Sequence, residues 1–488
     1  MKVQRKYERD AKNGLKRVIG GKQTFGIIVG NRGGKENSLV DDHRKNFLKV
    51  IEHSGYECIC LTETDSPSGA VGSLNDSKTC ARLFQDHARE IDGIIVTLPN
   101  FGDERGIANA IRLSGLDVPV LIQAEPDELG KMAFRQRRDS FCGKISVCAN
   151  LTQFKIPFTL TRTHACAIQS SEFKDELDKF AAICRIVNGV KGARIGAIGA
   201  RPASFNTVRY SEKILEYHGV SVEPLDLSEI IEMINQYNDA DHVAKTVERT
   251  RAYMPLDTGN VPEGSLEKIA RFLIVLENWI EENDIDAIAF QCWTSFERHI
   301  GIVPCGVLSM LSNNMIPAAC EVDVPGALTM LVLQLASEAP AVLLDWDNNY
   351  GNEPDKCVVF HCSNIARDFL ENPTLQNHHS PNFYPDKGFG AVTGKLRANN
   401  MTFARLTTND IEGKVQFYSG RGKFVKDDLQ TFGGHGIIQV DDIQQLLRKI
   451  CLCGFEHHFA ATIGNHHDVV VEALERYLGI ERPARFQS

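Results

Sequence analysis

Short apolar runs and longer amphipathic stretches take turns through the first third of the chain. Thr24–Gly30 is apolar and ends on glycine, Asp42–His53 is amphipathic, and Tyr56–Leu61 is apolar again. Asp92–Leu98 and Val118–Gln123 repeat the run, with a helical pattern over Gly106–Leu113 between them. Apolar runs bounded by turn residues read as buried strands, and strands separated by helix-length segments require parallel crossovers. A doubly wound, Rossmann-like α/β domain is therefore expected over residues 1–165.

The rhythm pauses near Phe158–Ala165 and restarts. A helix over Glu172–Asn188 leads into the apolar run Ala193–Gly199. The clearest helix follows at Ser265–Glu282, with Leu266, Ile269, Leu273, Leu276 and Ile280 on one face and Ser265 as N-cap candidate. Asp286–Phe290, Ile316–Cys320 and Ala341–Leu344 read as strands, with a helix over Gly326–Ala336. This predicts a second Rossmann-like domain over 166–350. Beyond it, Pro, Asn, His and Gly accumulate, and short runs at Ala391–Arg397, Thr402–Thr407 and Val415–Ser419 predict a β-rich, barrel-like domain over 351–488.

Composition narrows the function more than the fold. With 54 Lys and Arg against 63 Asp and Glu in 488 residues, the net charge of −9 argues against a broad nucleic-acid surface. No apolar run reaches the roughly 18–20 residues that span a bilayer, so no membrane partner is expected. The opening MKVQRKYERDAKNG is charged and has no signal-like apolar core, so a cytoplasmic location is expected. The 14 cysteines contain no C-x-x-C spacing and read as free thiols.

Two glycine-rich stretches fail as nucleotide sites. Around Gly30-Asn31-Arg32-Gly33-Gly34-Lys35, Val29 stands where a Walker A loop needs its first glycine and Glu36 where it needs Ser or Thr. Gly196–Arg201 follows a strand but lacks the G-x-G-x-x-G fingerprint, which argues against a nicotinamide oxidoreductase.

Acids cluster elsewhere. One strand runs into Cys292-Trp293-Thr294-Ser295-Phe296-Glu297, and a second into Glu321-Val322-Asp323. A third group, Asp345-Trp346-Asp347, follows the run ending at Leu344. Carboxyl ends of parallel strands are where α/β sites form. Carboxylates suit hard divalent cations, and Mn²⁺ also tolerates imidazole, which Glu456-His457-His458 and His466-His467 supply. If the chain stays extended at 321–323, Glu321 points away from Asp323. Glu321 and Asp347 join the candidate substrate contacts. Trp293, Trp346 and Tyr350 border the acids and offer flat apolar faces to a ligand; His361, just after a strand-like run, offers a hydrogen bond. His378, His379 and His435 remain unassigned.

These residues resemble the L-fucose isomerase / L-arabinose isomerase family of metal-dependent aldose–ketose isomerases. Thr294–Glu297 is similar to the stretch bearing a catalytic metal glutamate, Cys320–Leu331 to the stretch bearing a second metal carboxylate, and Gly454–His457 to the turn bearing a metal histidine. Gly30–Gly33, Asp139–Lys144 and Gly199–Asn206 extend the likeness to fucose-isomerase-like proteins. The resemblance implies Glu297 and Asp323 as acid/base groups and metal ligands, with His457 completing the set for Mn²⁺, Mg²⁺ or Co²⁺. It implies a homo-oligomer, hexamer or tetramer, in which Arg32 reaches the sugar of a neighbouring subunit.

The implied reaction interconverts a free aldose of the L-fucose or D-arabinose type with its ketose through an enediol. A sulfonated hexose such as sulfoquinovose is the alternative substrate and requires a cationic pocket. A non-catalytic sugar-binding protein with two α/β lobes is the rival from another class. It predicts an export signal and does not call for a third, β-rich domain.

Overall fold

The computed structural model describes residues 7–10, 14–17, 21–32, 37–133, 136–257, 261–362, 364–378, 388–426 and 429–487. Gly33–Glu36 and His379 lie outside them. Contacts divide the chain into two compact units: Gly20–Asn188 with Glu472–Gly479, and Met1–Ile19 with Gly189–Val471 and Ile480–Ser488.

A small antiparallel hairpin, β1 (Tyr7–Asp10) and β2 (Gly14–Arg17), belongs to the larger unit. The smaller unit is built on β3 (Thr24–Val29), β4 (Glu57–Cys60), β5 (Ile91–Leu98), β6 (Val120–Ala124) and β7 (Thr159–Leu160). They form a parallel sheet in the order β4-β3-β5-β6-β7, the doubly wound arrangement expected from the alternation. One face is covered by Val40, Phe47 and Ile51 of the helix Asn37–His53, together with Phe173, Leu177 and Phe180. Those last three residues lie on the helix Ser171–Val190, which the reading above grouped with the second domain. Its apolar face is buried against β3, so it closes the first sheet instead of opening the second. The chain also returns late: the Tyr477 hydroxyl donates to the Val120 carbonyl at 3.2 Å and lies 2.8 Å from Thr159 Oγ1.

The stretch Asp139–Lys144 explains itself here as packing. Lys144 is fully buried and donates to Thr161 Oγ1 at 2.8 Å and to the His164 carbonyl at 2.9 Å. A Cβ on Gly143 would overlap the Phe101 carbonyl. Gly143→Ala is therefore expected to destabilise this unit by about 1–3 kcal/mol, the usual cost of overpacking. Thermal unfolding equal to the parent would refute that packing argument.

The larger unit joins a second parallel sheet to a barrel. Strands β8 (Arg194–Ile198), β9 (Ser221–Leu225), β10 (Ala287–Phe290) and β11 (Ala318–Ala319) form the order β11-β10-β8-β9. Strands β12 (Ala341–Asn349), β13 (Lys356–His361), β14 (Leu370–Asn377), β15 (Phe389–Leu396), β16 (Asn399–Asn409), β17 (Lys414–Val425), β18 (Gly434–Gln439) and β19 (His458–Ile463) form one mixed sheet. The extra pairing of β13 with β18 closes β13-β12-β19-β16-β17-β18 into a ring. The hairpin β14–β15 is appended through β18.

Ala341–Leu344 is thus no strand of the parallel sheet: β12 is antiparallel to β19 and β13, and Asp345, Trp346 and Asp347 lie inside it. The helix Val324–Ser337 is buried on every side from Val324 to Ala336. It packs against β8, β10 and β11 as well as β12, β16 and β19. A helix apolar all round needs a partner on each face, and here two sheets provide them.

Candidate active site

The backbone after β11 makes the site. Cys320 is buried at the end of the strand, and Glu321 and Val322 then both take left-handed conformations, at φ 55° and 58°. Such conformations cost non-glycine residues about 1–3 kcal/mol each and persist where the surroundings over-determine them. Asp323 follows as N-cap of the helix Val324–Ser337, accepting from the Gly326 amide at 2.9 Å. The segment is therefore not extended, so the two acids are not sorted by strand alternation.

Glu321 enters a cavity of about 230 Å³ lined by Phe205, Trp293, Asp345, His361, Cys362, His458 and three further residues, Phe360, His378 and Phe432. Its Oε1 accepts from Trp293 Nε1 at 3.1 Å and from Cys292 Sγ at 3.3 Å. Its Oε2 is buried without a hydrogen-bond partner among the described residues and lies 3.8 Å from His361 Nε2. Burial pushes the Glu321 carboxyl up, and the Cys362 sulfur adds to this; His361 and His458 oppose it.

His458 is the hub. It opens β19, where its ladder partner is Asp345 of β12. Its Nδ1 donates to Asp323 Oδ2 at 2.9 Å, and its Nε2 lies 3.2 Å from Asp345 Oδ1. Burial disfavours its charged form, but the bond to Asp323 and the charges of Asp345, Asp323 and Glu321 outweigh it and push the imidazole up. Donor atoms of Glu321, His361 and His458 come within 4.8 Å of one another, and so do those of Asp345, His457 and His458.

Asp323 sits behind this cluster. Arg405, fully buried on β16, grips it with its two terminal guanidinium nitrogens at 2.5 and 3.0 Å. Arg405 Nε also donates to Glu456 Oε2 at 3.1 Å. Burial alone would raise the Asp323 carboxyl; Arg405 and His458 outweigh it and hold it well below the usual carboxylate range. A carboxylate so depressed, with both oxygens engaged, makes a poor base near neutral pH.

The sequence-predicted residues separate accordingly. Trp293, Glu321 and His361 meet at the cavity with Asp345. Glu297, on the helix Ser295–Ile300, is not among the residues lining it or among those whose donors converge, although its charge is felt at Cys305. His457 is 42% exposed and 3.7 Å from Asp345 Oδ1, while its neighbour His458 is buried. The difference is that His457 lies in the turn before β19, whereas His458 opens that strand, which is buried from His458 to Thr462.

Trp346 is not among the residues lining the cavity. It stacks on Phe459 at 4.2 Å and donates to the Tyr418 hydroxyl at 2.9 Å, because it points to the opposite side of β12 from Asp345. Asp347 is exposed beside the β12 bulge and accepts from Asn348 Nδ2. Arg32 belongs to the smaller unit, where its guanidinium lies 4.2 Å over the Phe101 ring. Arg405 was missed altogether. Phe205, quoted above only as part of a family-like stretch, meets Trp293 edge-on at 5.4 Å in the cavity wall.

The residues present fit a hard divalent cation. Glu321 Oε2, buried without a hydrogen-bond partner among the described residues, converges with donor atoms of the buried imidazoles His361 and His458, while Asp345 forms a second group with His457 and His458; carboxylate with imidazole is a donor set that Mn²⁺ accepts.

Comparison with known proteins agrees over most of the chain. Residues 26–191 match the family model "Fucose/sulfoquinovose isomerase, N-terminal domain", and residues 359–483 match "L-fucose isomerase, C-terminal domain". A sulfoquinovose isomerase of Alkalicoccus urumqiensis is 24% identical over 407 residues, covering 80% of this chain and 85% of the relative. One from Priestia aryabhattai is 22% identical over 397 residues, with the same coverage of both chains. These matches define an enzyme of the aldose–ketose isomerase class. The chain belongs to the fucose-isomerase-like family of sugar isomerases.

No helix among the described residues is long and apolar enough to cross a membrane.

Proposed function

We propose that this protein is a divalent-metal-dependent aldose–ketose isomerase whose metal is held by Glu321, His361 and His458, with Asp345 as the proton relay. The observation that carries this reading is the convergence of partnerless buried carboxylate oxygens and buried imidazoles on one aromatic-walled cavity. A cation bound there supplies a Lewis acid that polarises the sugar's O1 and O2. Trp293 and Cys292 hold Glu321 by one oxygen and leave the other to face the cavity. Asp323, fixed by Arg405, holds the ring of His458 through Nδ1, the usual outer support of a ligand histidine.

Isomerisation must lift a proton from one of C1 and C2 and return it to the other. Asp345 lines the cavity beside His458 and is not engaged in holding Glu321 or Asp323, so the proton is assigned to its carboxylate. Phe205 and Trp293 keep bulk water from the developing enediol and offer faces to the sugar's C–H edges.

The cavity is smaller than the roughly 300–1,000 Å³ of pockets for drug-sized ligands, in keeping with a monosaccharide. Within one chain its described lining contains acids, histidines and aromatics, which suits an uncharged aldose of the L-fucose or D-arabinose type, while a sulfonate would draw its cation from the neighbouring subunit's Arg32. A second reading, sulfoquinovose, is favoured by the names of the relatives. A panel of aldoses with and without a sulfonate, assayed for ketose formation with Mn²⁺, separates the two.

Chelation is expected to abolish turnover and Mn²⁺ to restore it; full activity in demonstrably metal-free protein would end the proposal. The proposal keeps a homo-oligomer in which Arg32 serves a neighbouring site. Arg32→Ala should then raise KM in an oligomer, hexamer or tetramer, measured by light scattering. A fully active monomer contradicts it.

A further inference from the structure

Thiols gather around Glu321, and one of them, Cys362, lines the cavity. Cys292 follows β10, Cys305 opens the helix Cys305–Asn313, Cys320 ends β11 and Cys362 follows β13. Four separate segments thus deliver thiols to one place. Donor atoms of Cys292, Cys320 and Glu321 come within 4.8 Å of one another, and the sulfurs of Cys292 and Cys362 both approach Glu321 Oε1. Donor atoms of Cys320, His361 and Cys362 come within 4.8 Å of one another. His361 Nδ1 is buried with no hydrogen-bond partner among the described residues. Cys362 is half-buried and lines the cavity, so the cluster can be reached from it.

We infer that Cys320, His361 and Cys362 form a binding site for a soft divalent cation such as Zn²⁺ or Cd²⁺, which competes with the catalytic cation for His361. Ligand softness drives the discrimination. Thiolates select Zn²⁺ and its heavier congeners, whereas carboxylate oxygens favour Mn²⁺ and Mg²⁺. The two donor sets are adjacent, since Cys362 Sγ lies 4.0 Å from Glu321 Oε1, and they share one imidazole. A soft ion seated on the sulfurs draws His361 to itself and leaves the oxygen-rich set one donor short. Binding to a thiol releases its proton to solvent, with no change in oxidation state.

The thiol site stands without the functional reading above; the competition rests on it. The experiment therefore has two arms. First, the full-length chain, metal-stripped and kept reduced, is titrated with Cd²⁺ while the ultraviolet sulfur-to-metal charge-transfer absorption is followed. The expected result is a band that saturates at one equivalent. Cys320→Ser and Cys362→Ser should each weaken it by at least about 100-fold, the upper range for lost metal-site partners. Cys451→Ser, at an exposed thiol, should leave it unchanged. Circular dichroism verifies each fold, and the half-buried Cys362 keeps the test open if Cys320→Ser does not fold. Absence of the band in the parent, or its persistence in the Cys362 variant, overturns the site.

In the second arm, Cd²⁺ is added to the Mn²⁺-supported enzyme. Inhibition relieved by excess Mn²⁺ supports the shared histidine. Undiminished turnover with the band fully developed overturns the sharing, and with it His361 as a catalytic metal ligand, while leaving the thiol site standing.

Discussion

Glu321→Gln is expected to abolish turnover and weaken divalent-metal binding in a protein that folds normally. The amide keeps the size and one oxygen but loses the charge that makes Glu321 Oε2 a ligand. Stability should not suffer in the metal-free state. Burial raises the Glu321 carboxyl, so the folded form holds its proton above the pH at which the unfolded chain releases it. Stability from this group is then fullest below the unfolded value and declines as pH rises toward the folded one. Glutamine removes that cost near neutral pH.

Asp345→Asn, by contrast, should leave metal binding largely intact and slow turnover by about 10²–10⁴-fold, the range for a lost general base. Metal titration followed by turnover at saturating Mn²⁺ measures both. Glu297→Gln belongs in the same series. A dead Glu297 variant beside an active Glu321 variant would return the site to the acid that family likeness indicates.

The second large effect is on stability. Arg405→Met should cost about 3–5 kcal/mol, because it leaves Asp323 buried as a charge without its guanidinium partner. Combining it with Asp323→Asn should recover part of the loss, since the uncompensated charge goes too. The parent should also depend on acid in a particular way. Asp323 has a folded pKa below its unfolded one, so its contribution is complete above the unfolded carboxylate value of about 3.9 and disappears as pH falls toward the folded value. The Arg405 variant should show a weaker acid dependence. Denaturant unfolding of the four proteins across pH 3–7 tests this, and a single variant as stable as the parent would mean the pair contributes little.

Several parts of this molecule were legible from the residue pattern. Strand–helix alternation gave the first parallel sheet, with strands at Thr24–Val29 and Ile91–Leu98, because burial on both faces demands uninterrupted apolar runs. Short runs after residue 350 pointed to β structure, and acids after buried strands pointed to the segment that enters the cavity. Glu321, Trp293 and His361 were named from that pattern and do line the cavity.

Other features depended on the tertiary fold. Ala341–Leu344 has the composition of either sheet, and only its pairing with Phe459–Thr462 of β19 assigns it to the barrel. The difference between Glu321 and Asp323 is a left-handed turn at two non-glycine residues, which no local propensity predicts. Arg405 lies 82 positions from Asp323, and a buried arginine in a strand carries no local sign of the carboxylate it will meet. Periodicity along a chain reports which faces are buried. Which charges share a buried site is decided by long-range strand pairing, and that is what makes neighbours of Asp323, Asp345 and His458.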